Sequence, residues 1–137
     1  MAQRLPSVYF SSSPIEGRGV FTYDQIDEGV LIEVCPAIIL PAEELPVIHR
    51  TRLHDYYFLW GDDEKQCAIA LGFGSLYNHS YEPNAEYVFD LEQQTIDFYS
   101  LRPIDAGEEI TINYNGWPDD KKPVWFHRED YDREKEG

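Results

Sequence analysis

Three short segments of this 137-residue chain carry the side chains and glycines that could form a binding or catalytic site. The first, Gly-Arg-Gly at residues 17–19, has two glycines that let backbone N–H groups approach a ligand closely. The second, Asn-His-Ser at residues 78–80, can bind a ligand or cap the backbone of a turn. The third ends at Tyr114, whose hydroxyl can act in catalysis or lie in the core. Taken singly, each segment is more typical of a turn or a packed core than of chemistry.

Several kinds of site are disfavoured by the spacing of the same residue types. The glycine pair is not part of a GxGxxG sequence and no strand–helix–strand pattern follows it, which argues against a dinucleotide fold. His79 has no second His or Cys at ligand spacing, and Cys35 and Cys67 form no CxxC pair, so no metal site is predicted. Two free buried thiols are the simpler expectation for these cysteines, although a single disulfide stays open.

Short runs of β-forming residues, separated by turn signals, must position these segments. Two hairpins are predicted, with strands at 56–60 and 67–71 and at 87–90 and 95–101. Residues 109–114 alternate apolar and polar side chains at strand period and lead into Tyr114. Regular spacing of such runs predicts a mainly β domain of short sheets.

Prolines and serines set further expectations for the chain path. Pro36 is expected to separate two strands, Val30–Val34 and Ala37–Leu40. Residues 11–14, Ser-Ser-Ser-Pro, are expected to form a loop. Only Ala42–Arg50 has helical character, and Pro46 limits its length.

The charge of the chain limits its partners. There are 26 Asp and Glu residues against 11 Lys and Arg residues, a formal net charge of −15. An acidic surface disfavours direct binding to nucleic acid and to anionic lipid, and it favours basic partners. No apolar stretch reaches the roughly 20 residues of a membrane span, and no signal peptide is evident, so an intracellular location is predicted. This would be cytoplasmic, nuclear or chromatin-associated, depending on the host.

In order and spacing, the three segments together resemble the SET domain of protein-lysine methyltransferases. The resemblance rests on Gly-x-Gly-Val-Phe from residue 17, Asn-His-Ser-x-x-Pro-Asn from residue 78 and Gly-Glu-Glu-Ile-Thr-x-x-Tyr from residue 107. The resemblance covers residues from about Val8 to Trp117. The chain is similar above all to minimal single-domain SET proteins of the chlorella-virus type. The resemblance implies a β-clip of several short sheets with a C-terminal pseudoknot and little helix. It places a SET domain at residues 1–118 and a short charged extension at 119–137.

The same resemblance implies a cofactor, S-adenosylmethionine, and a role for each matching residue. The residues implied to bind the cofactor are Gly17, Arg18, Gly19, Asn78, His79 and Trp117, the last as a cover. Tyr114 matches the catalytic tyrosine of the family, and Tyr56, ahead of Tyr57, is the candidate for a second hydroxyl. The lysine channel is expected to be lined by Tyr56, Tyr57, Tyr77 and Tyr114.

The resemblance also has departures, which leave alternatives open. Asn113 stands where the family usually has Asp, and Tyr81 stands where a Cys often follows the Asn-His-Ser segment. No cysteine lies beyond Cys67, so the zinc segment of many SET proteins is missing and residues 117–126 or a second subunit would cover the cofactor. The expected partner is a basic peptide of the histone-tail kind, and a homodimer is plausible by analogy with the viral proteins. A non-catalytic SET-like binding module and an acidic chaperone-like β protein are the competing hypotheses.

Overall fold

A computed structural model describes residues 3–115 as two β-sheets with little helix. The nine strands of this part of the chain are β1 (Val8–Ser12), β2 (Arg18–Thr22), β3 (Leu31–Leu40), β4 (Tyr57–Trp60), β5 (Gln66–Ala70), β6 (Asn78–His79), β7 (Ala85–Asp90), β8 (Thr95–Ser100) and β9 (Glu109–Ile112). One α-helix, α1, spans Leu45–His49, and 3-10 helices span Ala42–Glu44, Arg52–Asp55 and Gly74–Leu76. The predicted mainly β class is confirmed, as are both hairpins and the short helical region.

The smaller sheet has the strand order β1-β2-β9-β6. Its outer strand β6 is only two residues long and runs parallel to β9, with Asn78 opposite Thr111 and His79 opposite Ile112. Parallel neighbours need a long connection, and here it is the β7–β8 hairpin with its flanking turns. This pairing places the Asn-His segment beside the strand that leads into Tyr114.

The larger sheet has the order β4-β5-β3-β8-β7 and curls until its two edge strands meet. Phe58 of β4 lies 5.1 Å from Tyr87 of β7, and Trp60 lies 5.0 Å from Phe89, measured between ring centroids. Strand twist accumulates across a sheet of this width, and the aromatic side chains on its concave face fill the space enclosed. One end of the small sheet packs against this apolar interior through Ile110 and Ile112, which are fully buried.

Two expectations about strand limits were wrong, for the same physical reason. β3 is continuous through Pro36, because it pairs with β8 up to Pro36 and with β5 from Ala37 onward. A residue at that change of partner does not need the N–H that proline lacks. Likewise β1 extends through Ser11 and Ser12 because Gly19 and Arg18 pair with them. In both cases the partner strand, and not the local sequence, decided where the strand ends.

The cysteines and the helices agree with the remaining expectations that can be compared. Cys35 and Cys67 are both buried and free, which confirms the thiol expectation. Within residues 3–115 no helix has the length and apolarity needed to cross a membrane. Trp117 and the predicted extension at 119–137 lie outside the described residues.

Candidate active site

The parallel pairing of β6 with β9 brings two of the three sequence segments into direct contact. The backbone N–H of Tyr114 donates to Nδ1 of His79 at 3.0 Å, and the Tyr114 hydroxyl donates to the carbonyl of Tyr77 at 2.7 Å. Because Nδ1 of His79 accepts this bond, the neutral imidazole carries its proton on Nε2. Tyr81 packs edge-on against the His79 ring, with ring centroids 4.3 Å apart.

The Gly-Arg-Gly segment meets Asn78 from the other side of β6. Nδ2 of Asn78 lies 3.0 Å from the carbonyl oxygen of Glu16, 3.2 Å from that of Arg18 and 2.8 Å from Oε2 of Glu109. We call these four residues the acceptor cradle. Asn78 is buried, and two carbonyl oxygens and one carboxylate oxygen converge on its amide nitrogen. The same acceptors can take the N–H groups of a ligand that lies beside Asn78, above all those of a primary ammonium.

Gly19 is required by the close packing of the cradle. A Cβ atom built at this position would overlap the Glu109 carboxylate and lie 3.0 Å from Nδ2 of Asn78. The other glycine of the pair, Gly17, has a φ of +43°, in the left-handed region that glycine tolerates best. The two glycines therefore serve different purposes, one for close approach and one for the turn.

Glu109 is a cradle residue that the sequence analysis did not single out. Its Oε1 accepts from the Ser13 hydroxyl at 2.7 Å, while its backbone carbonyl accepts from Nδ2 of Asn84 at 2.8 Å. Asn84, which is itself buried, also accepts from the N–H of Thr111 through Oδ1 at 2.8 Å. The second Asn of the Asn-His-Ser-x-x-Pro-Asn segment thus braces β9 and orients Glu109. The sequence signal available for Glu109 was its place in the Gly-Glu-Glu segment that begins at residue 107.

A second group of side chains lies near the Tyr77 carbonyl. We call Tyr56, Tyr87 and Tyr114 the tyrosine cluster. The Tyr87 hydroxyl lies 3.4 Å from the carbonyl of Tyr114, and the Tyr56 hydroxyl and the Asp55 carboxylate are near enough to influence the Tyr114 phenol. Burial is the main cause that raises the pKa of Tyr114, with Asp55 second. Burial also raises the pKa of Tyr87, with a smaller effect from Glu64. Both phenols are therefore neutral hydroxyls at physiological pH.

Not every tyrosine predicted for the channel lies beside Tyr114. Tyr57 points to the other side of β4, where its hydroxyl lies 2.9 Å from Nδ1 of His49. The Tyr77 ring is buried in the core and stacks on Phe98, so only its backbone carbonyl reaches Tyr114. Tyr87, which was not among the residues predicted from the sequence, lies beside Tyr114 instead, with its hydroxyl 3.4 Å from the Tyr114 carbonyl. Tyr87 begins one of the predicted hairpin strands, and nothing in the sequence around it indicated a place in the site.

The remaining predicted positions can be placed as follows. The Arg18 side chain is exposed and lies over the Phe10 ring, with its guanidinium carbon 5.8 Å from the ring centroid. Asn113, where the resembling family usually has Asp, is buried and accepts from the N–H of Asn115 at 3.0 Å. A neutral amide makes that turn contact without burying a charge.

Comparison with known proteins gives consistent matches. The SET domain family model matches residues 17–115. A Schizosaccharomyces pombe protein named histone-lysine N-methyltransferase, H3 lysine-37 specific, is 33% identical over 115 residues, which are 83% of this chain and 73% of that protein. A Dictyostelium discoideum SET and MYND domain-containing protein is 38% identical over 69 residues, which are 50% of this chain and 17% of that protein.

Solved structures give the same match. A Plasmodium falciparum protein solved as a candidate histone methyltransferase is 31% identical, with a TM-score of 0.64 over 82% of this chain and 95% of that one. A humanized mutant of the Chaetomium thermophilum Polycomb Repressive Complex 2 is 21% identical, with a TM-score of 0.66 over 85% of this chain and 16% of that one. The second likeness concerns the fold alone.

Proposed function

Because the chain belongs to the SET domain family of protein-lysine methyltransferases, we propose that it transfers a methyl group from S-adenosylmethionine to a lysine of a basic, flexible peptide. One observation carries the proposal. The acceptor cradle and the tyrosine cluster are joined through the dipeptide Tyr77-Asn78, since the Asn78 side chain lies in the cradle and the Tyr77 carbonyl accepts from the Tyr114 hydroxyl of the cluster. A cationic donor and an amine acceptor could therefore meet across two residues.

The cradle fits the methionine end of S-adenosylmethionine. Its ammonium would find the carbonyls of Glu16 and Arg18, and the Asn78 amide can present either its N–H groups or its oxygen. The Glu109 carboxylate adds a full negative charge that a neutral ligand would not need. Gly19 keeps this space open. His79 and Trp117 stay predicted contacts of the adenosine end, and Trp117 lies outside the described residues.

When bound, S-adenosylmethionine supplies an electrophilic methyl group on a sulfonium, which a neutral amine can take in line. The tyrosine cluster has the complementary task of orienting that amine. The Tyr114 hydroxyl has its proton committed to the Tyr77 carbonyl, so its lone pairs are left to face a substrate. Since burial raises the pKa of Tyr114, it acts as a fixed dipole and not as an anionic base.

The amine must reach the site without its proton. A lysine ammonium has a pKa of about 10.4 in water, and removing it from water favours the neutral form. Phe58 of β4 packs against Tyr87 of the cluster, with ring centroids 5.1 Å apart, and gives the cluster an apolar wall. Desolvation on entry therefore replaces a strong general base, and alignment supplies most of the rate enhancement.

A basic peptide is proposed as the substrate because carboxylates flank the cluster. Asp55, whose side chain is 52% exposed, and Glu64, which is exposed, are near enough to raise the pKa of Tyr114 and of Tyr87 respectively. They can attract a lysine in its charged form before it enters. The S. pombe relative is named for a histone H3 lysine, which supports a histone tail as the first substrate to examine.

Methyl transfer to defined peptides tests the proposal. The protein is incubated with isotopically labelled S-adenosylmethionine and a basic lysine-containing tail peptide, and with the same peptide carrying arginine in place of each lysine. We expect label in the lysine peptide alone, with a mass increase of one CH₂ per methylation. If calorimetry shows cofactor binding but no lysine peptide or histone accepts label, the chain is a binding module and the proposal is wrong.

Three further predictions remain part of this proposal. They are a location in the cytoplasm or on chromatin, a homodimer, and a domain limit at residue 118. Cell fractionation, light scattering and limited proteolysis respectively test them.

A further inference from the structure

A buried carboxylate lies behind the active site, on β3. Glu33 is 2% exposed, yet no catalytic step uses it. Its Oε2 accepts from Nη1 of Arg4 at 3.2 Å and from the N–H of Phe73 at 3.0 Å, and its Oε1 accepts from the Tyr77 hydroxyl at 2.8 Å. Only the Glu33 side of its ion pair is buried, since the Arg4 side chain is 38% exposed. A buried carboxylate bound by three donors holds those donors in fixed positions.

Tyr77 connects this carboxylate to the active site. Its ring is 1% exposed and stacks on Phe98 with centroids 4.3 Å apart, so the ring has little freedom to move. Its hydroxyl is tied to Glu33, and its backbone carbonyl accepts the Tyr114 hydroxyl at 2.7 Å. Fixing the phenol end of Tyr77 therefore restrains the carbonyl end, which in turn directs the Tyr114 hydroxyl.

Glu33 is itself held in place from the outside. The Arg4 guanidinium lies 3.8 Å from the centroid of the Phe73 ring, so one cation contacts both Glu33 and the segment that carries the Phe73 N–H. Gly72 has a φ of +64°, and a Cβ atom there would overlap the Glu33 carboxylate. The Gly72 backbone and the Arg4 side chain thus both lie close against the Glu33 carboxylate.

We propose that Glu33 and Tyr77 are positioning residues that hold the Tyr114 hydroxyl in its reactive orientation through the Tyr77 carbonyl. This inference rests on the proposed methyl transfer. Misplacing a reacting group by about 1 Å can cost about 100-fold in rate, so a restraint two residues away from the chemistry affects turnover without touching either substrate.

The test compares three single variants. Tyr77→Phe removes the hydroxyl whose bond Glu33 accepts, and Glu33→Gln removes the charge. Thr22→Val removes a different buried hydroxyl, which lies 2.7 Å from the Asp24 carbonyl and 3.0 Å from the Ser7 hydroxyl. For the first two we expect kcat to fall about tenfold while peptide KM and cofactor Kd change by less than about twofold, since neither residue contacts a substrate and only the alignment of Tyr114 in the transition state is impaired. Thr22→Val should lose similar stability in urea and keep its kcat.

A double variant and a spectroscopic readout complete the test. If the two residues act as a unit, Tyr77→Phe with Glu33→Gln lowers kcat no further than either change alone. Fluorine NMR of fluorotyrosine-labelled protein, with the Tyr114 signal assigned from Tyr114→Phe, should show that signal shifted in Tyr77→Phe and unmoved in Thr22→Val.

The two readouts separate this inference from the proposed function. If the wild-type protein methylates nothing, the proposed function fails, and the Tyr114 signal still decides whether Tyr77 positions it. If Glu33→Gln does not fold, Tyr77→Phe decides alone. A Tyr77→Phe variant with unchanged Tyr114 signal, or with kcat lowered no more than in Thr22→Val, would overturn the inference.

Discussion

The acceptor cradle and the tyrosine cluster, which meet at the dipeptide Tyr77-Asn78, differ in how they interact with positive charge. On the Asn78 side, the acceptor cradle gathers two carbonyls and the Glu109 carboxylate around one point. On the Tyr77 side, burial is the main cause that raises the pKa of Tyr87 and of Tyr114, whereas the Tyr56 side chain is exposed. We therefore expect the cradle to stabilise an ammonium, and the buried part of the cluster to disfavour ions of either sign.

This contrast follows from what methyl transfer needs. The donor must stay cationic and the acceptor amine must be neutral, so one site should retain charge and the other should remove it. The carboxylates near the cluster, Asp55 and Glu64, are exposed and are smaller causes of the raised pKa values of Tyr114 and Tyr87 than burial is. We expect a charged lysine to meet these two carboxylates before it reaches the tyrosine cluster.

The largest expected effect is on the cradle. Gly19→Ala places a Cβ against Glu109 and Asn78, so we expect cofactor affinity to fall about 100-fold, the scale of two lost charge-assisted hydrogen bonds. Calorimetry measures this. Gly29→Ala is the control for a general loss of stability, because its φ of +75° imposes strain while a Cβ there meets nothing. Equal losses in the two variants would mean that a general loss of stability, and not the cradle, explains the effect.

The motifs that bring the site together could be read from the sequence, since they are local. Residues 17–19, the Asn-His-Ser segment and Tyr114 were singled out, and the structure brings all three together through β6 and β9. The family and the mainly β class are confirmed. The assigned roles of the individual residues stay predictions until variants are measured.

The rest of the site depends on tertiary contacts that leave no local signal. Tyr87 lies near Tyr114 only because the larger sheet curls until β7 meets β4. Glu33 is one acid among 26, and only its burial distinguishes it. Tyr77 was predicted to line the channel because it is a tyrosine in the Asn-His-Ser region. Its contacts with Phe98 and Glu33 instead hold its ring in the core.

Removing one carboxylate from each side should separate the two regions. Glu109→Gln keeps the shape of the cradle and removes its charge, so cofactor Kd should rise about tenfold while peptide KM stays within about twofold. Asp55→Asn should do the reverse, raising peptide KM about threefold with cofactor Kd unchanged, because its side chain is half exposed. Both constants are measured for both variants. If each variant changed both constants equally, the division into two regions would be wrong.

Unfolding at alkaline pH tests the burial of three tyrosine hydroxyls, those of Tyr77, Tyr87 and Tyr114. Because burial raises the pKa of Tyr77, Tyr87 and Tyr114 above that of unfolded tyrosine, about 10, the folded chain keeps protons that the unfolded chain releases. Stability from these groups is complete below about pH 10 and falls as pH rises further, by up to about 1.4 kcal/mol per group for each unit. Urea unfolding between neutral pH and pH 11, with Tyr114→Phe for comparison, measures it. A smaller alkaline loss is expected in Tyr114→Phe, and an identical loss would exclude Tyr114 as a contributor.

The smallest expected effect is that of salt. Raising salt from low to physiological levels shortens the screening length to about 8 Å, so attraction between exposed carboxylates and a basic peptide weakens. Peptide KM should therefore rise about threefold, while cofactor Kd changes less because Asn78, at the centre of the cradle, is buried. Equal salt dependence of the two constants would reduce the net charge of −15 to a matter of solubility.

The most direct test of the account is the kinetic profile of Tyr114→Phe. This variant removes the one hydroxyl that joins the tyrosine cluster to the Tyr77 carbonyl and leaves the cradle intact. We expect single-turnover methyl transfer to fall about 100-fold, as when one preorganised polar group is lost, with cofactor Kd within about twofold of the wild type. Tyr23→Phe, at an exposed position, is the control. Unchanged transfer in Tyr114→Phe would contradict the account.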